Sequence, residues 1–375
     1  MTRVVIAPDK FKGSLTAVEV TEAIAHGVRD VLPDAEISEC PVADGGEGTL
    51  EVLENAGGSV VRLSVRGPLD EPVEARYVLL DGTAYVESAR ACGIEFVTPS
   101  RDVALAAHTW GVGELLNDAL ARGARRLVLT VGGTASTDGG AGMLAALGAE
   151  VLDVSGAPVG LGGGSLTQVA RVDLGPVRER LGAVPVAVAT DVTNPLLGAN
   201  GAAAVFGPQK GAAPDDVHAL DESLSHWAKA LVRAGAPDVS DLPGAGAGGG
   251  VAAGAIAGFG ATVASGFDLI AALTGVDSAL TGADLVITGE GSLDEQSLSG
   301  KAPAGIAARA RQTGVALLVL AGRIQLDADA LAGLGVVGSS ALIDHAPSLD
   351  YARSHAAELL RERAGVLVRD WLRTR

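Results

Sequence analysis

The chain has 375 residues, is 48 % hydrophobic by composition and carries a formal net charge of −17. That length predicts two domains with a sizeable core, and that charge argues against nucleic acid or an anionic membrane as partner. The only cysteines, Cys40 and Cys92, make a disulfide framework improbable and fit a reducing compartment. The chain opens MTRVVIAP, one charge and then an apolar run, which is not the pattern of a signal peptide. Residues 245–273 come nearest to a membrane span, but they are Ala/Gly-rich and lack the Leu/Ile/Phe density that spanning requires. A soluble, cytoplasmic protein is expected.

Residues 4–7 read as a first strand and residues 8–13 as the loop at its carboxyl end, with Ser14 or Thr16 capping a helix to about residue 32. A second strand, 37–43, leads into Asp44-Gly45-Gly46-Glu47-Gly48. This strand–loop–helix alternation is what an open parallel sheet presents at its ligand edge. Residues 59–88 alternate in short segments broken by Gly-Pro and Asp-Gly, which predicts antiparallel hairpins and the entry to a second domain. Residues 101–122 are mostly helical, 153–167 form a loop or small ribbon, and 184–189 form a strand ending in Thr190-Asp191-Val192-Thr193-Asn194-Pro195. A long excursion containing Lys210 precedes an amphipathic helix over 214–234. The strand at 284–288 ends in Gly289-Glu290-Gly291-Ser292-Leu293-Asp294, and 315–321 and a segment near Val336 give two more strands before a helix from about Leu349. Because the closing β–α–β–α matches the opening in style, the two chain ends are expected to share one sheet with the middle inserted. Borders at 1–62 plus 283–375 and 63–282 follow.

The most informative stretch is 127–148. Apolar residues 127–131 predict a buried strand and residues 141–147 a closely packed helix, with Gly132, Gly133, Thr134, Ser136, Thr137, Asp138, Gly139 and Gly140 between them. Such a turn aims backbone N–H groups and a helix dipole at an anion. Asp138 is either the structural cap of that helix or an outward ligand or base. Asp44 to Leu53 repeats Asp138 to Leu147 at six of ten positions, so the loop is either a packing device used twice or two walls of an anion-binding cleft.

Lysine is scarce: of 28 basic residues only Lys10, Lys12, Lys210, Lys229 and Lys301 are lysines, and all but Lys229 sit in loop-like contexts. A compact ammonium suits phosphate or carboxylate oxygens. No His-x-x-x-His, Cys-x-x-Cys or GxSxG pattern is present, which argues against structural zinc and Ser–His–Asp hydrolysis. Gly244 to Gly249 matches GxGxxG but follows no strand, and Glu295 stands where a Walker A loop ending at Lys301 needs glycine. Loop carboxylates without histidines suit Mg²⁺, and lysines with helix N-termini suit phosphates. Phosphoryl transfer to a small hydroxyl compound uses all of these. A nicotinamide-linked oxidoreductase and a non-catalytic sugar-acid sensor are the alternatives.

Residues 7–17 (APDKFKGSLTA), 41–49 (PVADGGEGT), 131–148, 189–212, 243–254 and 284–303 are similar to blocks of the bacterial glycerate kinase type I family, in family order over nearly the whole chain. The resemblance implies an ATP- and Mg²⁺-dependent kinase for D-glycerate. It implies two α/β domains, one Rossmann/flavodoxin-like and built here from both chain ends, the other an inserted mixed α/β domain, with the active site in a cleft between them. Carried onto this sequence, it makes Asp191 the base, Asn194 its orienting partner, and Lys12 and Lys210 further catalytic residues. Asp9, Ser14, Asp44, Gly45, Gly46 and Glu47, with Lys12, would hold glycerate. Gly132, Gly133, Thr134, Ser136, Asp138, Gly139 and Lys301 would hold ATP, and Glu290 and Asp294 the Mg²⁺. The favoured product is 2-phosphoglycerate over 3-phosphoglycerate, made by a monomer or homodimer; a related short sugar acid is the alternative substrate. Ser292-Leu293-Asp294 departs from the family's common Arg-Ile-Asp, which removes a bidentate clamp for carboxylate or phosphate.

Overall fold

A computed structural model describes residues 1–298 and 302–374. The chain divides into one unit of Met1–Ala56 with Ser265–Arg375 and a second of Gly57–Ala264. The first unit holds five strands, Arg3–Ile6, Glu36–Glu39, Leu285–Leu293, Ala316–Ile324 and Val336–Ala341, all paired in parallel. Numbered along the chain within the unit, their order across the sheet is 2-1-3-4-5, the flavodoxin-like order.

Alternation along the central strands Arg3–Ile6, Leu285–Leu293 and Ala316–Ile324 explains the apolar runs 4–6, 285–287 and 316–321 within them. Val4, Ile6, Leu285, Ile287, Leu318 and Leu320 enter one core with Ile24, Val28 and Leu360. Val5, Ala7, Val286, Leu317 and Val319 enter the opposite core with Ile306 and Phe267. A sheet covered on both faces has no polar face to show water, so polar residues collect where strands end.

The helix Ala17–Arg29 begins with a capping box: Thr16 caps Glu19, and the Glu19 carboxylate returns to the Thr16 N–H. It lies against the long helix Ala356–Thr374, where Gly27 lets the backbones meet; a methyl group there would strike the Arg361 carbonyl and come within 2.9 Å of Ala364 Cβ. The domain borders differ from 62/63 and 282/283. The strand Ser59–Arg66 pairs along its length with Pro72–Leu80. The helices Gly266–Leu273 and Val276–Leu280 put Phe267, Ala271, Val276 and Leu280 into the first unit's core.

The second unit carries a six-stranded mixed sheet in the order Thr262–Ala264, Val186–Ala189, Arg126–Thr130, Thr83–Glu87, Pro72–Leu80, Ser59–Arg66. The first four are parallel and the last two join antiparallel, as the hairpin reading of 59–88 expects. Residues 150–152 and 171–173 form a separate two-stranded ribbon. Among the described residues no helix is long and apolar enough to cross a membrane.

Replacing Gly27 with Ala is expected to destabilise the first unit by about 1–3 kcal/mol, because neither backbone can retreat from the added methyl. Urea denaturation measures it, and an unchanged midpoint would refute the close approach.

Candidate active site

In an open α/β sheet, ligands bind where the strand order reverses. In the first unit that point lies between Arg3–Ile6 and Leu285–Leu293, and acids follow both: Asp9 beyond the first, Glu290 near the end of the second. The Asp9 N–H donates to the Gly289 carbonyl at 2.8 Å, and Thr288 Oγ1 donates to the Ala7 carbonyl at 2.7 Å. Gly291 allows the neighbouring loop to come close; a methyl there would lie 3.1 Å from the Lys12 backbone nitrogen. Asp9 is 7 % exposed. Burial pushes its carboxyl up to about 7; Lys10 opposes this, while Asp44 and Glu290 reinforce it.

Asp44 Oδ1 accepts from the Gly46 N–H at 3.0 Å, and Gly266 gives the Asp44 carbonyl room. Lys12 and Glu47 are exposed, Gly45 is buried and Asp294 is half-buried. The Ser14 hydroxyl donates to the Arg353 carbonyl at 2.7 Å. That bond uses its one proton and leaves only lone pairs, a poor match to a substrate carboxylate. Glu290 and Ser292 are spaced by two along the strand Leu285–Leu293 and share a face, and Asp294 follows directly in the turn closed by Ser297. Among the described residues no group of three or more His, Cys, Asp or Glu is arranged to hold a metal ion. A carboxylate pair still fits Mg²⁺, which takes one or two carboxylates and completes its shell with waters and substrate phosphates. Lys301 lies outside the described residues.

In the second unit the twin loops part company. Asp138 is 0 % exposed and accepts from the Thr109 N–H (3.0 Å), Thr109 Oγ1 (2.8 Å), Gly140 N–H (3.1 Å) and Gly142 N–H (3.1 Å). The N-cap residue of the helix Ala141–Ala146 is Gly140 and not Asp138, whose carboxylate accepts from the Gly142 N–H in the first turn and is fully engaged inside the protein. Gly139 is packed under Trp227, whose Nε1 donates to its carbonyl at 3.0 Å, and Ser136 is wholly buried. Asp138 and Gly139, expected to meet a nucleotide, are engaged by neighbours inside the protein, whereas the buried Ser136 hydroxyl, expected there too, has no hydrogen-bond partner among the described residues. The six-in-ten match also conceals an offset. The helix after Asp44 starts five residues on, at Thr49–Asn55, whereas the helix after Asp138 starts three residues on, at Ala141–Ala146.

Gly132, Gly133 and Thr134 behave otherwise. With Thr190, Gln209, Lys210, Gly248 and Gly249 they line a cavity of about 150 Å³. Asp191 follows the strand Val186–Ala189 and is half-buried. Asn194 Nδ2 donates to the Asn200 carbonyl at 2.9 Å, holding the start of the excursion. Lys210, 1 % exposed, donates to the Ser136 carbonyl and reaches Thr137 Oγ1 at 3.4 Å. Burial pulls its pKa down to about 8, against Cys92 and Asp138, which raise it. Gly248 and Gly249, given a role in sequence only by the GxGxxG match of the oxidoreductase alternative, are left-handed together with Gly250, at φ 64°, 68° and 89°. No strand precedes them, so Gly244–Gly249 is not a dinucleotide-binding turn.

The glycerate kinase family model matches residues 4–372. The chain belongs to the glycerate kinase family. A Bacillus subtilis (strain 168) glycerate kinase is 42 % identical over 365 residues, covering 96 % of both chains. An Escherichia coli (strain K12) glycerate 2-kinase is 41 % identical over 353 residues, covering 93 % of both. A crystal structure of a Salmonella typhimurium LT2 protein covers 100 % of this chain and 98 % of its own, with a TM-score of 0.86 and 39 % identity. Membership in the glycerate kinase family makes the chain an enzyme, and it accounts for the strand-end acids better than a sensor does.

Replacing Asp138 with Ala should cost about 3–5 kcal/mol in urea denaturation, since buried donors lose a charged acceptor; an outward-facing ligand would lose activity and keep stability. Asp9 predicts a pH dependence. Its folded carboxyl, at about 7, lies above the unfolded value of 3.8. Between those values the folded state binds the extra proton, so stability falls as pH rises through that window. Asp9→Asn is expected to remove that fall, so that its melting temperature gains on the wild type between pH 5 and pH 8. A constant difference would count against the shift.

Proposed function

We propose that this protein transfers the terminal phosphoryl group of ATP to D-glycerate, acting in the cytoplasm as a monomer or homodimer. The single observation that carries the reading is the family match over residues 4–372. The 2-hydroxyl is the acceptor in this reading, supported by the E. coli relative described as a glycerate 2-kinase.

Chemically, the glycerate oxygen forms a bond to the γ-phosphorus as the bond to the bridging oxygen breaks, and ADP leaves. The hydroxyl proton passes to the carboxylate of Asp191, which stands beyond a parallel strand where a base can meet a substrate. Asn194, its amide nitrogen committed to Asn200, has its side-chain oxygen to orient that hydroxyl. Lys12, exposed at the loop beside Gly291, receives the glycerate carboxylate next to the turn at Asp44 to Gly46. Asp9, held partly protonated near neutrality, can donate to a substrate oxygen there. Glu290 and Asp294 would hold Mg²⁺, which supplies charge neutralisation at the phosphates when bound.

Incubation with ATP, Mg²⁺ and D-glycerate, followed by phosphorus NMR, is expected to show a phosphoglycerate resonance split by one proton, as a phosphate on carbon 2 requires. Two-proton splitting would move the product to the 3-position, and no product would leave a different short sugar acid as substrate. Asp191→Asn should lower turnover about 10²-fold or more with an unchanged melting temperature; retained turnover would remove Asp191 as the base.

A further inference from the structure

The cavity in the second unit has a composition at odds with the rest of the chain. In a protein of net charge −17, no carboxylate lines it, and its one charged lining residue is Lys210. At about 150 Å³ it is smaller than a pocket for a whole small molecule, and suits one anionic group of a longer ligand.

Lys210 is the first observation. An ammonium has three donors, and this one meets the Ser136 carbonyl and, more distantly, Thr137 Oγ1. Among the described residues no carboxylate pairs with it; Asp138 acts on it only at longer range. Burying a charge without a counter-charge is costly, and an anion entering the cavity offsets that cost.

The backbone opposite is the second observation. Gly246 and Ala247 are right-handed, Gly248, Gly249 and Gly250 are left-handed, and regular helix resumes over 251–259. A right-to-left alternation turns successive N–H groups toward one side, which makes an anion-binding concavity. The helix that follows aims its dipole the same way. Any side chain at Gly249 would collide with the Ser136 carbonyl and stand 2.9 Å from Lys210 Nζ. Glycine is therefore what lets the turn reach the lysine. The third wall, Gly132, Gly133 and Thr134, follows the buried strand Arg126–Thr130.

We infer that the pocket walled by Gly132, Gly133, Thr134, Lys210, Gly248 and Gly249 seats phosphoryl oxygens of the nucleotide, with Lys210 Nζ and the N–H groups of Gly248 and Gly249 as donors; the Gly250 N–H is held by the Gly246 carbonyl. The inference rests on the ATP-using reading above. It moves the phosphate site away from Asp138 and Gly139 and onto a turn that is not a dinucleotide fingerprint. A hydroxy-acid carboxylate shares part of this chemistry, so the test separates the two ligands.

The full chain, labelled with ¹⁵N, is titrated with ADP and, separately, with D-glycerate, and both affinities are measured by calorimetry for the wild type and Lys210→Met. ADP is expected to shift the amides of Gly132, Gly133, Gly248, Gly249 and Val251 while D-glycerate leaves them in place. Lys210→Met should weaken ADP binding about tenfold or more, as loss of a charge-assisted donor does, with the D-glycerate affinity within about twofold. ADP shifts elsewhere with these amides unmoved, shifts caused by D-glycerate instead, or a folded Lys210→Met binding ADP like wild type would each overturn it. If Lys210→Met does not fold, the wild-type amide shifts decide. Phosphoglycerate production with these amides silent to ADP defeats this pocket alone. No production and no ADP binding defeats the kinase reading along with it.

Discussion

Two parallel arrays of strands, each buried by what covers it, govern where chemistry can occur in this protein. In the first unit Val4 and Ile6 point into one core and Val5 and Ala7 into the other, so no residue within the strand can be polar without strain on the packing. The acids of the candidate site stand at or near strand ends: Asp9 and Asp44 lie in loops, and Glu290 lies in the second half of the strand Leu285–Leu293. Asp9, Asp44 and Glu290 interact because three separate connections leave the sheet at the same edge. The same rule places Gly132 and Asp191 beyond parallel strands of the second unit.

Much of this was legible in the residues. Buried parallel strands announce themselves as apolar runs closed by glycine and acid, which is why 4–7, 127–131, 184–189 and 284–288 were found. The hairpins at 59–88 were found through period-two alternation and their turns. The shared sheet of the two ends was inferred from style, and the strand register between Val4 and Leu285 is its physical form. Side-chain direction was not legible. Nothing in DGGAG says that Asp138 points inward, because that depends on Thr109, twenty-nine residues away in sequence, supplying two donors. The work of Ser14 likewise depends on a carbonyl 339 residues distant. Long-range partners decide such cases, and local pattern does not encode them.

The two DGG loops show how little a short repeat fixes. Both use the acid to accept from the N–H two residues on, at 3.0 and 3.1 Å. There the likeness stops. Asp138 adds Thr109 and Gly142 and disappears into the core, whereas Asp44 stays half-buried beside Asp9. One motif yields a buried acceptor for four donors in one setting and a neighbour of Asp9 in the other. Trp227, pressed on Gly139, is part of the reason.

The first strand and its partner are 281 residues apart in sequence. On the ribosome that separation becomes time. At roughly 5–20 residues per second, the segment Arg3–Ile6 waits about 15–55 s before Leu285–Leu293 emerges to pair with it. Residues 57–264 are continuous and hold all six strands of their own sheet, so the second unit can complete its core within that wait. The first strand, whose Val4 and Ile6 enter one core and Val5 the other, and whose two edges are both destined for pairing, is then the part of the nascent chain most in need of shelter. Synthesis order thus makes the inserted unit the early folder and leaves the discontinuous one to close last around its own beginning.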